Sequence, residues 1–266
     1  MKNTAEHTPK NLLWTGGLDS TYRLLELVFD KNTTVQPIYV KDPTRPSTEM
    51  ELFTMQKIKG LINKENSKAE ALILPTLFFD LNEIPKNQEI SQTFHELQKI
   101  RHLGHQYDWL ARFCKWQQLI DLELGVIKKG EVSGYGESLS QSFAPFLKED
   151  DTGVAAFDEA KVINAKEKDK AKLYFELFKF YRFPIIKRSK KEMLALAQAK
   201  GWQGIIENIW FCHRPKNGKP CGKCNPCRTA VSEGLGNSIP FSRKLLFNLK
   251  SKLGIYWLKK LLRKAR

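Results

Sequence analysis

Leu12-Leu13-Trp14-Thr15-Gly16-Gly17-Leu18-Asp19-Ser20-Thr21 is the stretch on which the fold of this chain turns. Leu12, Leu13 and Trp14 form an apolar run of a length suited to a buried strand. Tyr22, Leu24, Leu25, Leu27 and Val28 recur at helical spacing after Asp19-Ser20-Thr21, which reads as a helix start. Between them, Gly16 and Gly17 let the backbone turn sharply with no Cβ in the way. A strand, turn and helix in this order aim the free N–H groups of the turn and of the first helical turn at one spot. The helix dipole makes that spot favourable for an anion. A phosphate or pyrophosphate can be held there by main-chain donors alone. The plainer reading is a glycine-rich connection with Asp19 or Ser20 as an ordinary N-cap.

Outward from this stretch, strand and helix signals alternate. Residues 34–40 read as a second strand. Thr48 and Glu51 read as a capping box that opens a helix reaching about residue 63. Residues 69–76, with Leu72, Ile73 and Leu74, read as a third strand, and 91–101 as a helix. Trp109, Leu110, Phe113, Trp116, Leu119 and Ile120 at helical spacing predict a long helix over 106–124. Residues 131–134 read as a fourth strand and 171–180 as a helix. Ser189 and Glu192 form a second capping box before Met193, Leu194, Leu196 and Ala197. The alternation predicts an α/β fold, a parallel sheet with helices on both faces. Ligands in such sheets sit beyond the carboxyl ends of the strands, where the Gly16-Gly17 turn falls.

The chain has 266 residues, 41% of them apolar, enough for a full α/β core and a small appendage. No apolar run approaches the ~18 residues of a spanning helix. The first residues, Met1 to His7, lack the apolar core of a signal peptide, which leads to the expectation of a cytoplasmic protein. The formal net charge is +15, but residues 241–266 hold nine Lys/Arg and no acid. The body is therefore only mildly basic, and whole-chain charge is no argument for nucleic-acid binding. In the tail, Leu246, Leu249, Leu253, Trp257 and Leu261 lie on one stripe flanked by basic residues. Such a helix either packs on the body or meets an anionic membrane, a partner protein or nucleic-acid phosphates.

Four of the five cysteines, Cys212, Cys221, Cys224 and Cys227, fall within sixteen residues in the pattern C-x8-C-x2-C-x2-C. Gly218, Pro220, Gly222 and Pro226 let the backbone fold around an ion. In a reducing compartment this pattern means metal before disulfides. Four thiolates suit a closed tetrahedral zinc site, structural in role. An iron–sulfur cluster is the rival on sequence grounds. His213 adjoins Cys212 and is expected to face away. Cys114, on the apolar face of a helix, is expected to be a buried small hydrophobe.

Two better-known phosphate loops are excluded. The dinucleotide fingerprint lacks its third glycine, and the Walker loop lacks its lysine. What remains resembles the PP-loop of ATP pyrophosphatases, Ser-Gly-Gly-x-Asp-Ser, with Thr15 in place of the first Ser. The glycine turn and the cysteine cluster, in this order and at this separation, together resemble the 7-cyano-7-deazaguanine synthase family. Pro220 to Arg228 is similar to that family's Pro-Cys-Gly-x-Cys-x-x-Cys-Arg. Phe183-Pro184-Ile185-Ile186 followed by Ser189-Lys190 is similar to its Pro-Leu and Ser/Thr-Lys. The middle departs from the family. Gly104-His105-Gln106-Tyr107-Asp108 stands where the family has Arg-Asn. Val132-Ser133-Gly134-Tyr135-Gly136-Glu137-Ser138 keeps Ser-Gly-Tyr and loses Pro-Asp.

The resemblance implies a PP-loop (adenine nucleotide alpha hydrolase-like) domain over 1–210 and a four-cysteine zinc segment over 211–235; the tail's own residues read as a basic amphipathic C-terminal helix over 236–266. It implies ATP, Mg2+ and zinc as cofactors, and usually a homodimer. ATP would lie on Trp14, Thr15, Gly16, Gly17, Leu18, Asp19, Ser20 and Thr21, with Asp19 and Ser20 catalytic. His105, Gln106, Tyr135 and Glu137 are the substrate candidates, Glu137 replacing the lost acid. The implied activity is adenylation of 7-carboxy-7-deazaguanine and its conversion with ammonia to the amide and nitrile. Diverged relatives are associated with anti-phage gene clusters, so transfer of the acyl group to another amine, such as a protein, is the second expectation. A nucleotide-binding module without turnover is the third. Lys187 and Arg188 are candidate phosphate contacts or simply an exposed basic pair. His102 and His105 are candidate bases or surface residues.

Overall fold

The computed structural model describes residues 8–128, 138–233 and 235–245. In chain order the elements are β1 (Lys10–Leu13), α1 (Leu18–Leu25), β2 (Val35–Lys41), α2 (Thr48–Glu65), α3 (Ser67–Ala71), β3 (Leu77–Asp80), α4 (Gln88–Ile100), α5 (Gln106–Trp116) and β4 (Leu122–Glu123). They continue with α6 (Leu139–Phe143), β5 (Leu147–Glu149), β6 (Ala155–Phe157), α7 (Glu159–Ile163), α8 (Lys168–Phe178), β7 (Tyr181–Arg182), α9 (Lys190–Ala199), α10 (Gln203–Ile206) and α11 (Asn225–Ser232). Five strands form a sheet in the order β3-β2-β1-β4-β7, all neighbours parallel, and β5 and β6 form a separate antiparallel pair.

The strand residues alternate between two apolar layers, as the pleat requires. Ile38 and Val40 of β2 join Phe94, Leu110, Phe113, Tyr174 and Phe178, so α4, α5 and α8 cover that face. Val35 and Tyr39 join Leu24, Leu25, Ile58, Ile62, Met193 and Ile205, so α1, α2, α9 and α10 cover the other. Among the described residues no helix is long and apolar enough to cross a membrane.

The chain builds β1, β2 and β3 outward, then returns to lay β4 beside β1. The order reverses between β1 and β4, and that is where an open parallel sheet offers a crevice. A buried ion network clamps this junction. Arg23 of α1 donates two hydrogen bonds to Glu123 of β4, at 2.7 and 2.8 Å. It also pairs with Glu26 at 3.4 Å, and Glu26 pairs with Arg188 at 3.1 Å. Changing Glu123 to Ala leaves the buried Arg23 guanidinium only its longer pair with Glu26. Chemical denaturation should show a loss of about 3–5 kcal/mol, and a loss below about 1 kcal/mol would show that the network does not hold the junction.

The boundaries differ from the sequence expectations in three places. Residues 69–71 end α3 instead of opening a strand, because the Asn66 side chain caps Lys68 and Ala69. The sheet strand comes later, at Leu77–Asp80. The helix expected over 106–124 stops at Trp116. Gln118 takes a left-handed φ of 54°, and the Leu119 N–H returns to the Cys114 carbonyl at 2.9 Å. That is a Schellman stop made without glycine, and it frees Leu122 and Glu123 to become β4. Finally, Ser47, not Thr48, stands at the N-cap position of α2 and makes no side-chain capping bond, because the Glu51 carboxylate accepts from Ser47 and Tyr39. The Ser189–Glu192 box has both of its bonds. The strand expected over 131–134 and residues 246–266 of the basic helix lie outside the described residues.

Candidate functional site

The turn after β1 is braced from beneath. Trp14 is fully buried, and its indole N–H donates to Thr21 Oγ1 at 3.1 Å. These two expected ligands therefore support the turn and do not face the cleft. Gly16 has a φ of +70°, and a Cβ there would stand 3.0 Å from Thr54 Cγ2. The Trp210 N–H holds the Gly16 carbonyl at 2.9 Å. Gly17 is the extended N-cap of α1, and the first helical bond runs from Thr21 N–H to Gly17 oxygen at 3.0 Å. The N–H groups of Leu18, Asp19 and Ser20 precede that bond, so the helix leaves them for another acceptor.

Thr15, Gly17, Leu18 and Asp19 line a cleft of about 200 Å³. Arg45, Glu51, Lys190, His213 and Glu233 line the same cleft. Trp14, Gly16, Ser20 and Thr21 are not part of its lining. Among the described residues, Asp19 Oδ1 is buried with no hydrogen-bond partner. Burial pushes the Asp19 carboxyl up to about 6, with Lys190 pulling it down and Glu233 pushing it up. Gly125, just past β4, makes room for it: a Cβ there would stand 2.9 Å from Asp19 Cβ. Lys190 pairs with Glu233 at 3.1 Å, and Arg45 pairs with Glu51 at 2.9 Å. Burial and the nearby Arg45 hold the His213 imidazole below its usual range.

The basic residues singled out from the sequence are occupied elsewhere. Lys187 pairs with Glu149, while Arg188 pairs with Glu26 and donates to the Tyr22 hydroxyl at 2.9 Å. The cations that reach the cleft are Lys190 and Arg45. Lys190 had a local signal: it is the first residue of the helix that Ser189 caps. Arg45 and Glu233 carry none. His213 was expected to face away from the ion, and it points into the cleft.

The four cysteine sulfurs lie within 4.8 Å of one another. Cys221 to Cys227 is 3.9 Å, Cys212 to Cys224 is 3.9 Å and Cys224 to Cys227 is 3.4 Å. Tetrahedral zinc with Zn–S near ~2.3 Å needs sulfur–sulfur edges of about 3.8 Å, so the set is shaped for such an ion. Main-chain N–H groups of Lys223 and Cys224 point at Cys221 Sγ, both at 3.3 Å, and that of Cys221 points at Cys212 Sγ at 3.2 Å. Amide donors of this kind stabilise thiolates. Gly222 has a φ of +70° and lies against Arg243, whose guanidinium binds the carbonyls of Lys216, Lys219 and Pro220. These four cysteines can hold a metal ion such as zinc. Cys114 is buried away from them, on the helix face expected for it.

Of the substrate candidates, His105 and Gln106 are exposed at the start of α5, and the His105 ring lies 6.0 Å from that of Phe94. His102 is also exposed. Tyr107 is more interior, and burial pushes its phenol up, with a smaller push from Asp19. Tyr135 and Glu137 lie outside the described residues. No protein-family model matches the chain, and no curated protein matches it.

Proposed function

We propose that the cleft binds Mg2+·ATP by its phosphates and that the protein activates a carboxylic acid by adenylation. The observation that carries this reading is the buried Asp19 Oδ1, without a partner among the described residues, in a cleft lined by Leu18, Asp19 and Lys190. Three carboxylates and two cations face one another in the cleft. A polyphosphate entering it calls for a divalent cation to offset Asp19, Glu51 and Glu233. At about 200 Å³ the cleft is smaller than the ~300–1,000 Å³ of a site that swallows a whole ligand. It suits the phosphates, with the nucleoside extending outside.

In the reaction a carboxylate oxygen attacks the α-phosphorus. The bond from that phosphorus to the bridging oxygen breaks, and pyrophosphate leaves with its charge. The α1 amides and Lys190 stabilise the charge that builds on the leaving group. An amine then attacks the acyl carbon and AMP departs. No side-chain nucleophile is required, because the acid itself attacks. The four-thiolate site has no open position for water or substrate, so its ion is structural.

For the acid, the sequence resemblance favours 7-carboxy-7-deazaguanine with ammonia as acceptor. The test is ATP–pyrophosphate exchange with and without that acid. Exchange that requires it supports the reading, and ATP binding without exchange leaves a non-catalytic nucleotide module. Lys190→Met should reduce exchange about 10²-fold, with unchanged metal content. Exchange at the wild-type rate would remove Lys190 from the site.

A further inference from the structure

Trp210 touches both halves of the site. Its main-chain N–H donates to the Gly16 carbonyl at 2.9 Å, and its indole N–H donates to the Cys212 carbonyl at 2.7 Å. The first bond fixes the turn whose amides face the cleft. The second fixes the backbone of a sulfur ligand. Trp210 also lines the cleft, next to Phe211 and His213. The rest of the cysteine segment contributes to the same wall. Pro226 and Ala230 belong to α11, which Cys224 caps and which carries Cys227, and Glu233 follows directly. Among the described residues the segment has a small core of its own: its buried apolar cluster is Cys212, Cys227 and Ile239, with Trp210, Phe211 and Val231 half-buried against it. An ion is then the main source of its order. One wall of the cleft is thus built by the part of the chain that the metal organises.

We propose that the four-cysteine site and the phosphate cleft are thermodynamically coupled, with Trp210 as the positioning residue that carries the coupling. This rests on the nucleotide reading above. A metal ion on the cysteines holds the Ile209–His213 strand of chain in place, and through Trp210 it holds the Gly16 turn ready for phosphate. By linkage the effect is reciprocal: the nucleotide raises the affinity for the metal by the same factor that the metal raises the affinity for the nucleotide. Couplings between sites commonly amount to roughly 5- to 150-fold, and two direct hydrogen bonds through one residue place this one at about 10-fold.

The experiment uses the full chain loaded with zinc. Zinc is titrated against a chromophoric chelator with and without saturating Mg2+·ATP, and Mg2+·ATP binding to the loaded protein is measured by calorimetry. Mg2+·ATP should raise the apparent zinc affinity about 10-fold. Trp210→Phe keeps an aromatic ring and the main-chain N–H but lacks the indole donor. It should still bind one zinc per chain, with the coupling factor reduced to about 3-fold or less. A residue that merely supported the fold would weaken zinc and nucleotide separately and leave their coupling unchanged. The proposal is overturned if Mg2+·ATP binds the wild-type protein without changing its zinc affinity, or if the folded Phe variant couples as the wild type does. If the variant fails to fold, the wild-type titration decides alone. If Mg2+·ATP does not bind the zinc-loaded protein at all, the nucleotide reading falls together with the coupling.

Discussion

Cys224→Ser should empty the metal site and release the C-terminal segment from the sheet. Cys224 is one of the four cysteines that can hold the ion and stands at the N-cap position of α11, and its own N–H points at Cys221 Sγ. Its loss breaks a set of four thiols, and among the described residues the buried apolar cluster beside them is only Cys212, Cys227 and Ile239. We expect metal content to fall from one per chain toward zero and stability to drop by at least about 3 kcal/mol. Hydrogen exchange should locate the loss in 210–245 and in the Gly16 turn that Trp210 anchors, with the sheet strands still protected. Full metal content and unchanged protection in the variant would remove the structural role of the ion.

Asp19→Asn should separate stability from activity. The Asp19 carboxyl sits at about 6 in the fold against an ordinary value of 3.8, chiefly because burial disfavours its charge. The folded state therefore holds this proton more tightly than the unfolded chain does. Stability falls as pH rises from about 4 through 6 and stays at the lower level above that. At neutral pH, where the carboxyl must ionise inside the fold, the cost is on the order of 2–3 kcal/mol. Asn keeps the shape and removes the charge. The variant should be more stable than the wild type above pH 6, with the difference vanishing toward pH 4. Under the proposed function, adenylation should fall about 10²-fold or more, since a carboxylate that would help hold the Mg2+ accompanying the phosphates is gone. Equal melting temperatures across this pH range would remove the buried charge, and retained turnover would remove Asp19 from the chemistry.

The β1–turn–α1 unit was legible because every signal in it is local: an apolar run, two glycines, then a helical period. The Ser189–Glu192 box was legible for the same reason. Thr48 and Glu51 gave the same pattern and a different outcome, because Tyr39, Ser47 and Arg45 compete for the Glu51 carboxylate. Two-residue strands such as β4 and β7 are too short to show a period. β4 was hidden further by Leu119 and Ile120, which prolong the apolar period of α5 past Gln118. The cysteine site was legible from spacing alone. The cleft was only half legible. Its floor is one contiguous stretch, but Arg45, Lys190 and Glu233 reach it from three separate places in the chain. No pattern in the sequence brings those charges together.

The central claim is that α1 amides and Lys190 hold the phosphates of ATP. The most direct measurement is a crystal structure of the zinc-loaded protein with Mg2+ and a non-hydrolysable ATP analogue. Phosphate oxygens should lie within hydrogen-bonding distance of the Leu18 and Asp19 amides, with Lys190 turned from Glu233 toward them. Phosphates bound elsewhere, with the Lys190–Glu233 pair intact and the Gly16 turn empty at saturating nucleotide, would contradict the claim.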